Sequence, residues 1–417
     1  AQIYGEKGDF DKMFQSYVSM IRKNTKNLKT VQRYAAKYIT EDSESETNLA
    51  FKKALLRKSA SNPKPEWNVL LSWLFIQQKE YSKALIQEKA LFAREADNLE
   101  KILNLGEIAF NNKEYKVAKK CFDFVLEKSN YIEDKFNAIY MNLKIAVVTN
   151  KPDVEKQFQD VFDEYGKNEN TLSVQVAYAD YLTFHKNQPQ KAQEVLEEAM
   201  TYAKSKFQKA RIKLKLGDVL VFTGKFNQAL IYFSQVQTKL KSHFLAQEAR
   251  FKVAQTSYFK GDFDWAKAQL KVLKGSATQL IANDAVDLYV IISDNQPKDS
   301  VPSGLKEYAK ADLLAYQNKD NEAIAILENI VLEYKGQPVE DEALFKQGKL
   351  LLKQKKYDEA ILTFANVVAL DPEGILNGNL KSSFKVTLFI SNSTIISSLP
   401  STAITLIISG IICFSTS

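Results

Sequence analysis

The sequence predicts an all-α fold, a solenoid of helical hairpins stacked side by side. Three observations carry this expectation. The first is the stretch 341–372, which reads DEALFKQGKLLLKQKKYDEAILTFANVVALDP. There Gly348, Tyr357, Ala360, Phe364 and Pro372 follow one another at spacings of 9, 3, 4 and 8 residues. Leu344, Leu351 and Leu352 give a first helix one apolar face. Gly348 is the small residue at a close helix crossing, and Tyr357 closes the turn. Ala360 and Phe364 lie one helical turn apart on a second helix, and Pro372 ends the unit. The second observation is the recurrence of this unit along the chain. The third is the placement of proline. Pro63, Pro65, Pro297, Pro302, Pro338 and Pro372 fall between expected helices, and Pro152 and Pro189 fall at second-helix starts, where proline is tolerated. Only Pro400 interrupts an apolar run.

Residues 1–61 carry partial, divergent repeats. Gly8-Asp9-Phe10 has the character of a hairpin turn, with Met13, Tyr17 and Met20 on the helix that follows. The chain starts without Met, so residue 1 is expected to follow processing or truncation. Apolar segments around Val31–Ile39 and Leu49–Leu56 are separated by the acidic run Glu41-Asp42-Ser43-Glu44-Ser45-Glu46. Asn62-Pro63-Lys64-Pro65 is a break.

From residue 62 to 293 an array follows. Its second-helix small residue falls at Ala84, Ala118, Val154, Ala192, Ala229 and Ala266, and then at Ala323 and Ala360. The intervals are 34, 36, 38, 37, 37, 57 and 37 residues. An aromatic precedes it by three at Tyr81, Tyr115, Phe226, Phe263 and Tyr357. Twelve before it stands Ser72, Gly106, Gly217, Ala254, Ala311 or Gly348. The long interval holds one extra amphipathic helix, 279–293, and a linker, 294–304, carrying Pro297, Pro302 and Gly304. Two further hairpins occupy 305–374.

This pattern resembles the tetratricopeptide repeat family, whose unit is about 34 residues long. The resemblance covers residues 66–372 well, 1–61 weakly and 375–417 not at all. It implies a right-handed superhelix with first helices lining a concave face. It also implies groove positions at the second, fifth, ninth, twelfth and thirteenth residues of each first helix. Those positions give Trp73, Phe110, Tyr181, Phe184, Asp218, Phe222, Tyr258 and Tyr316 as protein-binding candidates, with Ile76 and Phe259 beside them. Aromatics kept at a surface are typical interface anchors, while packing between adjacent hairpins is the competing role. A basic clamp for acidic chaperone C-termini needs Lys and Asn at the fifth and ninth positions. Here those pairs are Val69 and Trp73, Leu103 and Glu107, and Leu214 and Asp218, so that clamp is not expected.

Composition narrows the chemistry. The net charge of +7 is basic, and Lys and Glu alternating on helices read as solvated faces, with the charge spread along the chain. Lys outnumbers Arg 51 to 6, which argues against nucleic acid, where the arginine fork is favoured. Cys121 and Cys413 make no disulfide framework. His185 and His243 stand in different repeats and read as helix-face residues without metal-ligand spacing. Gly224-Lys225 lacks both the upstream glycine and the following Ser or Thr of a phosphate loop. Carboxylates are expected on exposed faces, with no apolar setting to raise a pKa. No catalytic residue, metal or cofactor is expected.

Residues 375–417 leave the pattern, and 386–417 contain no charged residue. The apolar run Thr402–Phe414 has 13 residues, short for a membrane span. A membrane-associating tail, a β-prone tail and an out-of-frame ending are the three readings. The expected function is a non-enzymatic scaffold of bacterial type that binds a peptide or helix of a protein partner. A membrane-linked assembly component and a self-associating structural protein stand as alternatives. The compartment is left open between cell envelope, periplasm and cytoplasm.

Overall fold

The computed structural model describes residues 1–94, 99–273, 275, 279–296 and 303–370. Two compact units divide the chain, Ala1–Ala177 and Tyr178 onward. The first opens with α1 (Gln2–Glu6), α2 (Phe10–Lys23), α3 (Leu28–Ala35) and α4 (Glu46–Ser61). Hairpins follow: α5 (Pro65–Gln77) with α6 (Tyr81–Arg94), α7 (Glu100–Asn111) with α8 (Tyr115–Lys128), and α9 (Ile132–Val148) with α10 (Val154–Tyr165). The division falls inside α11 (Leu172–Phe184). The second unit continues with α12 (Pro189–Tyr202), then α13 (Lys206–Phe222) with α14 (Phe226–Lys239), and α15 (Phe244–Lys260) with α16 (Phe263–Leu273). A single helix, α17 (Gln279–Asn295), precedes α18 (Leu305–Tyr316) with α19 (Asp320–Glu333) and α20 (Pro338–Lys353) with α21 (Tyr357–Leu370). Among the described residues there is no strand. Each unit is a stack of helical hairpins, every hairpin packing on the next.

One turn geometry makes these hairpins. Five residues before each second-helix alanine the backbone is left-handed, at Lys79, Lys113, Asn187, Gly224, Gly261, Asn318 and Lys355. The residue after it turns its N–H back to a first-helix carbonyl, as Glu80 does to Phe75 at 2.8 Å and Lys356 to Leu351 at 2.9 Å. This is the bond that ends a helix at a left-handed residue. Gly224 and Gly261 meet the demand without strain, whereas each lysine there costs about 1 kcal/mol. The same geometry recurs at Gly8, where Asp9 N–H reaches Tyr4 at 2.8 Å. Thus α1 and α2 form a hairpin.

The alanines Ala84, Ala118, Ala192, Ala229, Ala266, Ala323 and Ala360 are wholly buried. The size of the first-helix small residue is matched to a side chain sixteen positions later. A Cβ on Gly106, Gly217 or Gly348 would come closer than 3.0 Å to the ring of Phe122, Phe233 or Phe364 respectively. Where the small residue is Ala254 or Ala311, its counterpart is the smaller Leu270 or Leu327, both wholly buried. Where it is Ser72, the counterpart is Glu88, which accepts a hydrogen bond from the serine hydroxyl.

Pro65, Pro189 and Pro338 stand at the first positions of α5, α12 and α20. Pro65 and Pro338 therefore start helices rather than lie between them, because a missing N–H is harmless there. The acidic run ahead of α4 is a turn gathered by buried Asn48, whose amide donates to Thr40 O at 2.8 Å and Asp42 O at 2.5 Å. Of the expected linker 294–304, residues 297–302 lie outside the described residues, as do the tail 375–417 and Cys413. Among the described residues no helix is long and apolar enough to cross a membrane.

Candidate partner-binding faces

In the first unit the first helices α5 and α7 each carry one half-buried aromatic near their C-terminal ends, Trp73 and Phe110. Trp73 meets Phe51 of α4 edge-on at 6.3 Å between ring centroids. Phe110 meets Tyr115 edge-on at 5.6 Å. The Lys144 ammonium of α9 lies 5.0 Å from the Phe110 centroid and 5.3 Å from that of Tyr140. A cation over an aromatic face adds about 0.5–1 kcal/mol at an exposed site and orders the ring.

In the second unit the inner face is crossed by a ladder of charges. Asp218 of α13 is buried and accepts from Lys252 of α15 at 2.7 Å, with Lys215 Nζ at 3.2 Å. Lys215 also reaches Asp180 of α11 at 2.5 Å. Burial alone would raise the Asp218 pKa, but Lys252 and Lys215 outweigh it and hold the carboxyl below its usual value. Burial likewise opposes the Lys215 ammonium, while Asp218 and Asp180 raise its pKa. Opposite charges one first helix apart thus tie α11, α13 and α15 together.

Over this ladder sits the end of α18. The Tyr316 ring packs edge-on to Phe184 at 5.3 Å and beside Phe259 at 5.8 Å, and Phe184 meets Phe222 at 5.4 Å. The Tyr316 hydroxyl donates to Asp218 O at 3.4 Å, Gln317 Nε2 to Phe222 O at 2.8 Å and Asn318 Nδ2 to Phe184 O at 2.6 Å. Main-chain carbonyls at the free ends of α11 and α13 are therefore satisfied by side chains from far along the chain.

A second, half-buried group lies further on. Asp312 of α18 accepts the Tyr258 hydroxyl at 2.9 Å and pairs with Lys346 of α20 at 2.6 Å. Burial, then Asp312 and Asp341, push the Glu342 carboxyl up to about 7. The expectation that no carboxylate would sit in such a setting is corrected here, since α18 and α20 pack together and bring two half-buried acids close to each other. A raised acid pKa stabilises the fold below the ordinary glutamate value and loses that contribution as pH rises through about 7. Glu342→Gln is expected to raise stability at pH 8 by about 2 kcal/mol and to leave it unchanged at pH 4. Urea unfolding at the two pH values measures this.

Residues 308–375 match the model of the tetratricopeptide repeat family. That stretch of the chain carries tetratricopeptide repeats. Such repeats are generally non-enzymatic scaffolds for protein interaction. Among solved structures the chain is similar to a Rap protein complexed with Competence and Sporulation Factor, at 12% identity and TM-score 0.42, over 88% of this chain and 98% of that one. It is similar to PilF of Pseudomonas aeruginosa at 14% identity and TM-score 0.34, over 58% and 95%. A tetratricopeptide repeat protein from Parabacteroides merdae is similar at 13% identity and TM-score 0.31, over 70% and 98%. No curated protein sequence matches the chain.

The eight groove candidates of the tetratricopeptide numbering fall into distinct settings. Trp73, Phe110 and Tyr181 are half-buried. Phe184, Phe222 and Tyr316 form the intrachain aromatic cluster just described. Asp218 is a buried member of the charge ladder, and Tyr258 is 1% exposed with its hydroxyl on Asp312. Tyr181 stacks on His185 at 5.8 Å. His243 caps α15, its Nδ1 accepting from Leu245 N–H at 3.2 Å, and so it is a helix-end residue rather than a face residue. Counting from the repeat found Asp218 but not its partners. Lys215, Lys252, Asp312 and Glu342 stand out only when hairpins distant in sequence are packed together.

Proposed function

We propose that the chain is a non-enzymatic interaction scaffold whose first unit holds an extended segment or helix of a partner protein. The partner lies along the first helices α5, α7 and α9, against Trp73 and Phe110. The observation that carries this lies in the second unit. There the inner face already holds polypeptide side chains: the Tyr316 ring among Phe184 and Phe259, and the amides of Gln317 and Asn318 on main-chain carbonyls. Aromatic side chains at the ends of first helices, with main-chain acceptors beside them, thus take a ring and amide donors. Phe110 occupies the same twelfth position as Phe184, and Trp73 the ninth position, one turn earlier on its own first helix, which supports the same use toward a second protein. Half-buried aromatics of this kind are the residues that dominate interface energetics.

The test uses the full chain as bait in extract of the source cell, with Trp73→Ala/Phe110→Ala beside it and circular dichroism confirming the fold of both. Capture of a protein by the wild type and its loss, by tenfold or more, from the folded variant is the expected result. Equal capture by both removes the proposed face.

A further inference from the structure

The charge of this chain is not spread evenly. Residues 199–247, the α13–α14 hairpin and its flanks, contain nine Lys or Arg and one acid, Asp218. That segment carries +8, while the whole chain carries +7. Asp218 is buried in the inner ladder, so the remaining surface of the hairpin is basic.

Part of that charge converges at one edge. Lys206, Lys209 and Lys213 follow one face of α13 at three- and four-residue steps. Lys213 donates to a neutral acceptor, Gln235 of α14, at 2.6 Å. Lys239 lies one turn beyond Gln235 on α14, and Lys241 follows in the turn. Burial, then the neighbouring Lys239 and Lys209 charges, hold the Lys213 pKa below the usual lysine value. The Gln235 contact thus brings Lys213 beside the α14 face that carries Lys239. The acids nearest along the chain outside this hairpin are Glu198 and Glu248.

The same edge carries exposed aromatics. Phe207 is 40% exposed and Phe244 is 44% exposed. The His243 ring lies between them, at 4.7 Å from Phe207 and 4.4 Å from Phe244. Lys206 Nζ lies 5.1 Å from the Phe207 centroid. Like charges brought together around apolar rings left in water are unfavourable for an isolated chain and favourable for one with an anionic, partly apolar partner.

We propose that this edge, formed by the start of α13, the end of α14 and the start of α15, docks an acidic polypeptide segment bearing apolar side chains. It lies outside the groove positions of the repeat and is independent of the face assigned to Trp73 and Phe110. A polypeptide is favoured over nucleic acid for two reasons. Eight of the nine cations are lysine, with Arg211 the exception, so the arginine fork that reads phosphate and bases is scarce. In addition, His243 already lies against both Phe207 and Phe244 and Lys206 against Phe207, which competes with the stacking of bases on these rings.

The test measures fluorescence anisotropy with the full chain and a labelled twelve-residue peptide made of four repeats of glutamate, aspartate and phenylalanine. Lys206→Glu/Lys209→Glu/Lys239→Glu/Lys241→Glu is expected to weaken binding by about tenfold or more. Phe207→Ser/Phe244→Ser is expected to weaken it about fivefold. A matched control, Lys26→Glu/Lys29→Glu/Lys116→Glu/Lys120→Glu in the first unit, changes net charge equally and is expected to stay within about twofold of wild type. Absence of peptide binding, or equal loss in both four-lysine variants, overturns the proposal. A twelve-nucleotide oligouridine that binds more tightly than the peptide, and is lost with the edge variant, also overturns it and reassigns the edge to nucleic acid.

Discussion

Replacing Asp218 by alanine is expected to lower the unfolding free energy by about 3–5 kcal/mol, because it leaves the largely buried Lys252 ammonium without a counter-charge and removes one of the two that Lys215 has. Lys252 loses its partner at 2.7 Å, and Lys215 keeps only Asp180. The dependence on pH has a definite sign. The Asp218 pKa lies below its usual value, so its contribution is present above that value and disappears as pH falls through the folded pKa. Wild type and Asp218→Ala are therefore expected to differ by the full amount at pH 7 and to converge toward pH 2. Asp218→Leu with Lys215→Met and Lys252→Met is expected to recover most of the loss, since an apolar trio of similar volume carries no desolvation penalty. Denaturant titrations at pH 7 and at low pH measure all three quantities. Equal stability of Asp218→Ala and wild type at pH 7 would show that the ladder contributes nothing.

Gly217→Ala is expected to cost about 3 kcal/mol, at the upper end for one added methyl group. The new Cβ would come closer than 3.0 Å to the Phe233 ring, which is 1% exposed and cannot retreat. The remedy is written elsewhere in the same chain, where Ala254 and Ala311 stand opposite Leu270 and Leu327 at the same sixteen-residue spacing. Gly217→Ala/Phe233→Leu is therefore expected to recover at least half of the loss, although Phe233→Leu alone leaves a void and destabilises. Such recovery is a coupling energy, and thermal unfolding of the two single variants and the double variant measures it. Additive losses in the double variant would exclude size matching as the reason for glycine here.

Much of the architecture was legible because it is local. A left-handed turn residue, an alanine five positions later and an aromatic between them decide a hairpin within about twenty residues, and they recur often enough to be counted. The turn between α1 and α2 was visible from Gly8-Asp9-Phe10 alone. Groove numbering did not distinguish Trp73, left half-buried, from Tyr258, which is covered. The difference arises because α17 enters as a single helix without a partner and α18 then packs on α15. Nothing within one repeat announces that return.

The α13–α14 edge was legible in a different way. Its charge is a property of the sequence, yet the total of +7 concealed it, since the rest of the chain nearly cancels. That Lys213 of α13 lies beside the face of α14 that carries Lys239 required the hairpin to be folded.

The sequence by itself determined that the chain would fold into tetratricopeptide-like hairpins, where each would turn, and which small residues would lie at the helix crossings. These follow from backbone φ preferences and side-chain size over short separations. Only the tertiary structure decided which inner faces are filled, which acids are buried and which lysines crowd. Asn318 reaches Phe184 across 134 residues and Gln317 reaches Phe222 across 95. Contacts at that separation depend on how many hairpins intervene and on how each is stacked, and no periodicity within a single repeat encodes them.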